Sequence, residues 1–241
     1  MESLQIVLPI IFISTLVRST FGFGDAVVSM PLLSMAVGLN IATPLVGLMG
    51  ITTSVTILIR HWRYVHFKSL LSLIVPTIIG IPIGVLLLKG VYEDVMKLIL
   101  AAVIIFFSLY KIFKPRLVTL KNDKYACIFG FIAGILGGAY NTNGPPIVIY
   151  GTLRRWQPEN FRATLQGYFL PTGSMIALGH CLGGFWTKTV LANYLISLPI
   201  ILIAIFAGGR LNCKIPKGKF DNYVYLCLVI LGIILLIDTI R

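Results

Sequence analysis

Acidic side chains are nearly missing from this chain. Eight Asp and Glu stand among 241 residues, and all charged residues together make up 12%, about half the share of a soluble domain. So little charge could not cover a core this apolar, which argues against a water-soluble fold. Cysteine is sparse: Cys127, Cys181, Cys213 and Cys227 are scattered, with no CxxC pair. They read as isolated thiols acting as small apolar residues, not as a metal or redox centre. His61, His66 and His180 lie at the ends of apolar segments without ligand spacing, so interfacial positions and no metal are expected. There is no GxSxG elbow, HExxH pair or Walker loop. No catalytic set and no cofactor site follow, and the chain is read as no enzyme. Any transport by it would draw on an ion gradient or on the substrate's own.

What is abundant is apolar sequence. Hydrophobic residues make up 57%, in recurring stretches of the roughly 20 residues that a bilayer core demands of a helix. The expectation is an all-α polytopic membrane protein whose first partner is the lipid bilayer. The net charge of +12 comes from Lys and Arg in the short gaps between apolar runs, a topology signal. No aromatic and basic interleaving supports nucleic acid. The N-terminus carries Glu2, lacks a basic leader and shows no small-residue cleavage site, so it reads as a first membrane helix.

Ten segments can be drawn, at 3–20, 26–38, 42–59, 69–88, 95–113, 125–139, 144–153, 162–180, 189–209 and 222–240. The second and seventh are too short to cross upright; whether they span or re-enter is open. Arg60, Arg63 and Lys68 mark one gap. Lys111, Lys114, Arg116, Lys121 and Lys124 mark another, and Arg210, Lys214, Lys217 and Lys219 a third. These gaps are expected to be cytoplasmic, with the turn holding Arg154, Arg155 and Arg162. The gaps 89–94 and 181–188 and both termini are then external.

One pattern occurs twice. Residues 21–33 read FGFGDAVVSMPLL and residues 136–148 read LGGAYNTNGPPIV. Gly22 falls on Gly137 and Pro31 on Pro146, since 137 − 22 and 146 − 31 both give 115. Ala42-Thr43 with Ala163-Thr164, Pro76 with Pro199 and Glu93 with Asp221 echo this at offsets of 121 to 128. An odd number of segments per half turns the second copy over. The expected architecture is two inverted repeats of about five helical segments, residues 1–114 and 125–241, joined by a basic cytoplasmic linker at 115–124. Helices broken at the Gly/Pro motifs would meet at mid-membrane, as in many secondary transporters. Broken backbone survives there only where protein or a watery cavity surrounds it, and exposed helix N-termini attract anions.

The candidate binding residues cluster at the breaks. Gly22, Phe23 and Gly24 form the first. Gly137 and Gly138 precede the second, where Asn141, Thr142, Asn143 and Gly144 offer neutral donors and Pro145 opens a helix. Glycines there permit close backbone approach or tight helix packing. The Asn-Thr-Asn-Gly run serves as a binding loop or a plain turn. Asp25, the one acidic residue at the breaks, can cap the second segment, pair with Arg18, or carry a coupling proton. Arg18 can snorkel to the interface or touch an anion. Gln166, with Thr164, Thr172 and Ser174, gives segment eight a polar side, as Thr52, Thr53, Ser54 and Thr56 do for segment three. Helix–helix bonding or cavity lining would explain both.

These motifs, most specifically GILGGAYNTNGPPIVIYGTLRRWQPENFRATLQGYFL at 134–170, resemble the TauE/SafE family of sulfite exporters. The resemblance spans the chain. It implies a secondary transporter of the bacterial or archaeal inner membrane for small sulfur-containing anions: sulfite, organosulfonates such as sulfoacetate, or thiosulfate. The substrate region falls by position on Gly22 to Asp25 and Gly137 to Pro146, and the FRATLQ stretch on Phe161 to Gln166. Asp25 departs from the glycine found in many members, which leaves the substrate open. The reading is therefore alternating-access transport of a small anion, with proton coupling resting on Asp25. Alternatives are a passive anion channel and a non-transporting partner in assembly of an enzyme complex. A homodimer is left open, since no dimer face is marked.

Overall fold

A computed structural model describes residues 2–65, 67–90, 93–113, 120, 123–154, 156 and 158–212, and positions 229, 230, 232–234, 236, 237 and 239. His66, Arg155, Cys213, Cys227, Asp221, most of the linker 115–124 and most of the segment at 222–240 lie outside the described residues. Nine helices are described in full: α1 (Glu2–Phe21), α2 (Asp25–Val37), α3 (Leu39–His61), α4 (Phe67–Gly90), α5 (Glu93–Phe113), α6 (Ala126–Tyr140), α7 (Gly144–Leu153), α8 (Pro158–Leu182) and α9 (Lys188–Asn212). Each lies within a few residues of an expected segment. No strand occurs among the described residues.

Four stretches are long and apolar enough to cross a membrane: Leu4–Phe21, Leu39–Ile59, Ser69–Leu88 and Lys188–Leu211. At about 1.5 Å per residue, the 13 residues of α2 and the 10 of α7 fall well short of a bilayer core of about 30 Å. Each packs on the helix before it, α2 on α1 and α7 on α6. Both breaks are thus the tips of helical hairpins.

Small residues set the closest packing. In α4, Gly80 and Gly84 lie against Gly134 and Gly138 of α6, and a Cβ on Gly84 would run into the Ile135 carbonyl. The four-residue spacing puts each set on one helix face, so the two backbones meet without side chains between them. Thr77 Oγ1 then stands 2.8 Å from the Gly130 carbonyl and 2.8 Å from the Tyr168 hydroxyl, tying α4 to α6 and α8. On the other side of the molecule Gly208 of α9 seats Ser19 of α1.

The helix boundaries recur at one spacing. α1 ends at Phe21 and α6 at Tyr140; α2 starts at Asp25 and α7 at Gly144; α3 starts at Leu39 and α8 at Pro158. The differences 140 − 21, 144 − 25 and 158 − 39 each give 119. The packing follows the same exchange: α1 lies on α9 as α6 lies on α4, and α3 lies on α8. The offset of 115 taken from Gly22/Gly137 and Pro31/Pro146 is therefore corrected by four residues, one helical turn. Glycine and proline locate a break only to within a turn, because either can sit inside the helix it interrupts.

Candidate functional site

Both helix breaks open on one small cavity. Its wall takes Arg18, Gly24, Asp25, Ala26 and Val27 from the first hairpin and Asn141, Thr142, Asn143 and Gly144 from the second. Gly47 and Gly50 of α3 and Phe169 and Gly173 of α8 complete it. The volume is about 30 Å³, where a single water needs roughly 10–15 Å³. That is room for two waters or one compact oxyanion.

The first break turns on glycine. Gly22 has φ 87° and Gly24 φ 103°, left-handed values at which a Cβ would be strained. The Gly22 amide closes α1 onto the Arg18 carbonyl at 2.6 Å, and Gly24 caps α2. The first amides of α2 have no acceptor within their own helix, and the residues that carry them, Asp25, Ala26 and Val27, line the cavity at the positive end of the helix dipole. The second break turns on Asn141, at φ 58°, where Asn tolerates the left-handed region better than most residues. Its amide bonds the Gly137 carbonyl at 2.8 Å. Because Pro145 and Pro146 carry no N–H, α7 brings the Gly144 amide and side-chain groups to the cavity rather than a full turn of free amides.

Arg18 is the hub. It is 5% exposed, so it lies inside the protein and does not snorkel to an interface. Its Nη1 donates to Asp25 Oδ2 at 2.6 Å. Its Nη2 donates to Ser54 Oγ at 2.6 Å and to Gln166 Oε1 at 3.3 Å, and its guanidinium stands 4.9 Å from the Phe169 ring centre. Gln166 Nε2 in turn donates to the Gly22 carbonyl. One cation thus ties α1 to α2, α3 and α8 in an environment where an unpaired charge is costly. Two donors on cavity-lining residues are left buried without a partner, Arg18 Nε and Thr142 Oγ1.

The other expected site residues are divided. Gly24, Asp25 and Asn141 to Gly144 line the cavity. Gly22 and Gln166 stand behind Arg18, and Phe23 packs against the hydrophobic core. Pro145 sits in the first turn of α7, behind the wall. Gly137 lies against Ile176 and Asn143, and Gly138 against α4, both in packing roles. Most hydroxyls of the polar sides turn to their own helix: Thr53 bonds the Met49 carbonyl, Thr56 that of Thr52, and Ser174 that of Leu170.

Sequence reasoning missed Gly47, Gly50, Phe169 and Gly173, and the signal that finds them is the 119 spacing. It pairs Arg18 with Gly137, Gly22 with Asn141, Gly24 with Asn143 and Asp25 with Gly144. It also pairs Gly47 with Gln166, Gly50 with Phe169, and Ser54 with Gly173. Each of these seven pairs holds one glycine and one side chain, whereas Phe23 with Thr142, Ala26 with Pro145 and Val27 with Pro146 hold no glycine. His180 was expected at an interface; it is fully buried, with Nε2 2.8 Å from the Gly138 carbonyl.

No solved structure matches the chain. The probable sulfite/organosulfonate exporter TauE of Cupriavidus necator is 23% identical over 205 residues, which cover 81% of this chain and 79% of that relative. The family model described as sulfite exporter TauE/SafE matches residues 7–235. With its membrane-length helices and that match over nearly its full length, this chain belongs to the TauE/SafE family of multi-pass membrane transporters.

Proposed function

We propose that this protein is a secondary transporter of a small sulfur-containing anion, namely sulfite, an organosulfonate such as sulfoacetate, or thiosulfate, across the cytoplasmic membrane by alternating access. The observation that carries the reading is the convergence of two helix breaks on one cavity whose wall holds Arg18 and two unpaired donors. Arg18 supplies the counter-charge through Nε, while Asp25 serves as its internal partner when no substrate is present. The α2 amides, Thr142 and the Asn141 and Asn143 side chains supply neutral donors, which suits a compact oxyanion with several acceptor oxygens. The name of the Cupriavidus relative supports the sulfur-anion class.

In this reading residues 1–114 and 125–241 are inverted repeats. The hairpins dip to the membrane centre from opposite faces, and the halves rock about α3 and α8 to open the cavity to each side in turn. The shared spacing of 119 supports a two-fold relation passing through the cavity. A wall this closely filled favours a carrier over an open channel. The test is flux into liposomes holding the purified protein, scanned with sulfite, sulfoacetate, thiosulfate and sulfate. Saturable uptake of one or more of the first three, lost in Arg18→Gln, is the expected result. Absence of flux for all of them would sink the proposal.

A further inference from the structure

His180 is a buried titratable group that the anion site leaves unused. Its Nε2 lies 2.8 Å from the Gly138 carbonyl. A carbonyl oxygen only accepts, so Nε2 carries the hydrogen and the neutral ring presents a bare lone pair at Nδ1. That Nδ1 is buried and has no hydrogen-bond partner. It faces the cavity wall at Gly47: a Cβ on Gly47 would stand 3.7 Å from His180 Nδ1 and 3.6 Å from Asn141 Nδ2. Gly47 and Asn141 both line the cavity. An acceptor nitrogen is thus held beside the site, with no Cβ to separate it.

We propose that His180 Nδ1 takes up the proton that accompanies the anion. The proposal rests on the transport reading above and moves the coupling role from Asp25, which is already engaged by Arg18, to a basic ring nitrogen beside the cavity whose lone pair is unengaged. Arg18 and Asp25 sum to zero charge, so an entering anion leaves the cavity negative, at a cost in a low-dielectric interior. A proton from water, bound at Nδ1, cancels one unit of that charge and is released to water with the anion on the other side. Proton and anion therefore favour each other's binding by the same factor.

The surroundings suit a switch at this position. α6 offers the Gly138 carbonyl, α3 offers Gly47, and the turn after α8 places the Phe185 ring edge-on at 6.1 Å. α4 presents Ile81 and Val85 to Gly179, beside His180. The charged groups of the shared cavity are Arg18 and Asp25.

Liposomes with the membrane potential clamped and an interior one pH unit more alkaline test this, using sulfoacetate and thiosulfate, neither of which takes up a proton near neutrality. Wild-type protein should concentrate the transported anion about tenfold, as one proton per anion requires. His180→Gln keeps an N–H for the Gly138 carbonyl. It should still exchange anion for anion, but its concentration ratio should fall to about one. Equal concentration by wild type and variant, or a wild type that exchanges without responding to the pH gradient, overturns the proton role and leaves the transport reading standing. No flux by the wild type overturns both. Should His180→Gln fail to fold, the wild type in lightly buffered detergent decides. About one proton taken up per protein on adding the transported anion supports the assignment, and none overturns it.

Discussion

Arg18 and Asp25 face each other across the first helix break, Nη1 to Oδ2 at 2.6 Å, both nearly buried. They stand seven positions apart in sequence, and the Gly22–Gly24 turn folds the second back on the first. The pair belongs to the first half of the chain, yet Arg18 also reaches Gln166 in the second. In the proposed transport reading, an anion that draws Arg18 pulls on the joint between α1, α3 and α8. That reading would couple binding to the relative placement of the halves through one guanidinium.

Removing one member of this pair should cost more than removing both. Arg18→Met leaves the Asp25 carboxylate buried without its partner, and breaking a buried pair in this way costs about 3–5 kcal/mol. Arg18→Met with Asp25→Asn should recover most of that loss. Unfolding of the purified protein in detergent reads both values, and a double variant no more stable than the single one would contradict the pairing. Anion transport should stay absent in both, since the counter-charge is gone.

Much of the fold was legible because apolar runs and basic gaps are local signals. The ends of α7 and the start of α2 fall within one residue of where the sequence places them. The packing role of Gly138 was legible in principle, since Gly130, Gly134 and Gly138 recur every four residues on one face, but its nearness to a break drew the functional reading. Arg18 could not be placed from sequence. Whether an arginine near a helix end turns outward or inward depends on Ser54 and Gln166, 36 and 148 residues away. His180 was misplaced for the same reason, because its partner is a carbonyl 42 residues distant.

Thr142 separates binding from stability. Its hydroxyl is buried with no partner in the folded chain, so Thr142→Val removes an unsatisfied polar atom at nearly constant shape and should leave stability unchanged or slightly raised. If the hydroxyl donates to a bound anion, the lost bond is worth about 1.5 kcal/mol, and KM for transport should rise about tenfold. A KM equal to that of wild type would take Thr142 out of the site.

The glycine seam between α4 and α6 should be intolerant where other helix glycines are not. Gly84→Val drives a branched side chain into the Ile135 carbonyl and the Ala139 amide, which α6 can relieve only by moving away. A loss of about 3 kcal/mol is expected, at the upper end of ordinary overpacking. A Cβ on Gly209 meets no heavy atom within 4 Å, so Gly209→Ala should be neutral or gain about 0.5 kcal/mol from reduced chain entropy. Thermal midpoints in detergent test the contrast, and similar midpoints for the two variants would refute the seam.

Two native cysteines report whether the halves are inverted. Cys127 and Cys181 are free and exposed. Cys127 is the second residue of α6, beside the basic gap expected inside, and Cys181 is the last but one of α8, beside the gap expected outside. With Cys213 and Cys227 replaced by Ser, a membrane-impermeant maleimide applied to intact cells should label Cys181 and spare Cys127. Permeabilised cells should show both labelled. α6 to α8 then carry the chain from one face to the other, and basic residues beside the matching end of α3 place the first half in the opposite sense. Labelling of Cys127 from outside would put the two hairpins on the wrong faces and remove the geometric basis for a shared central cavity.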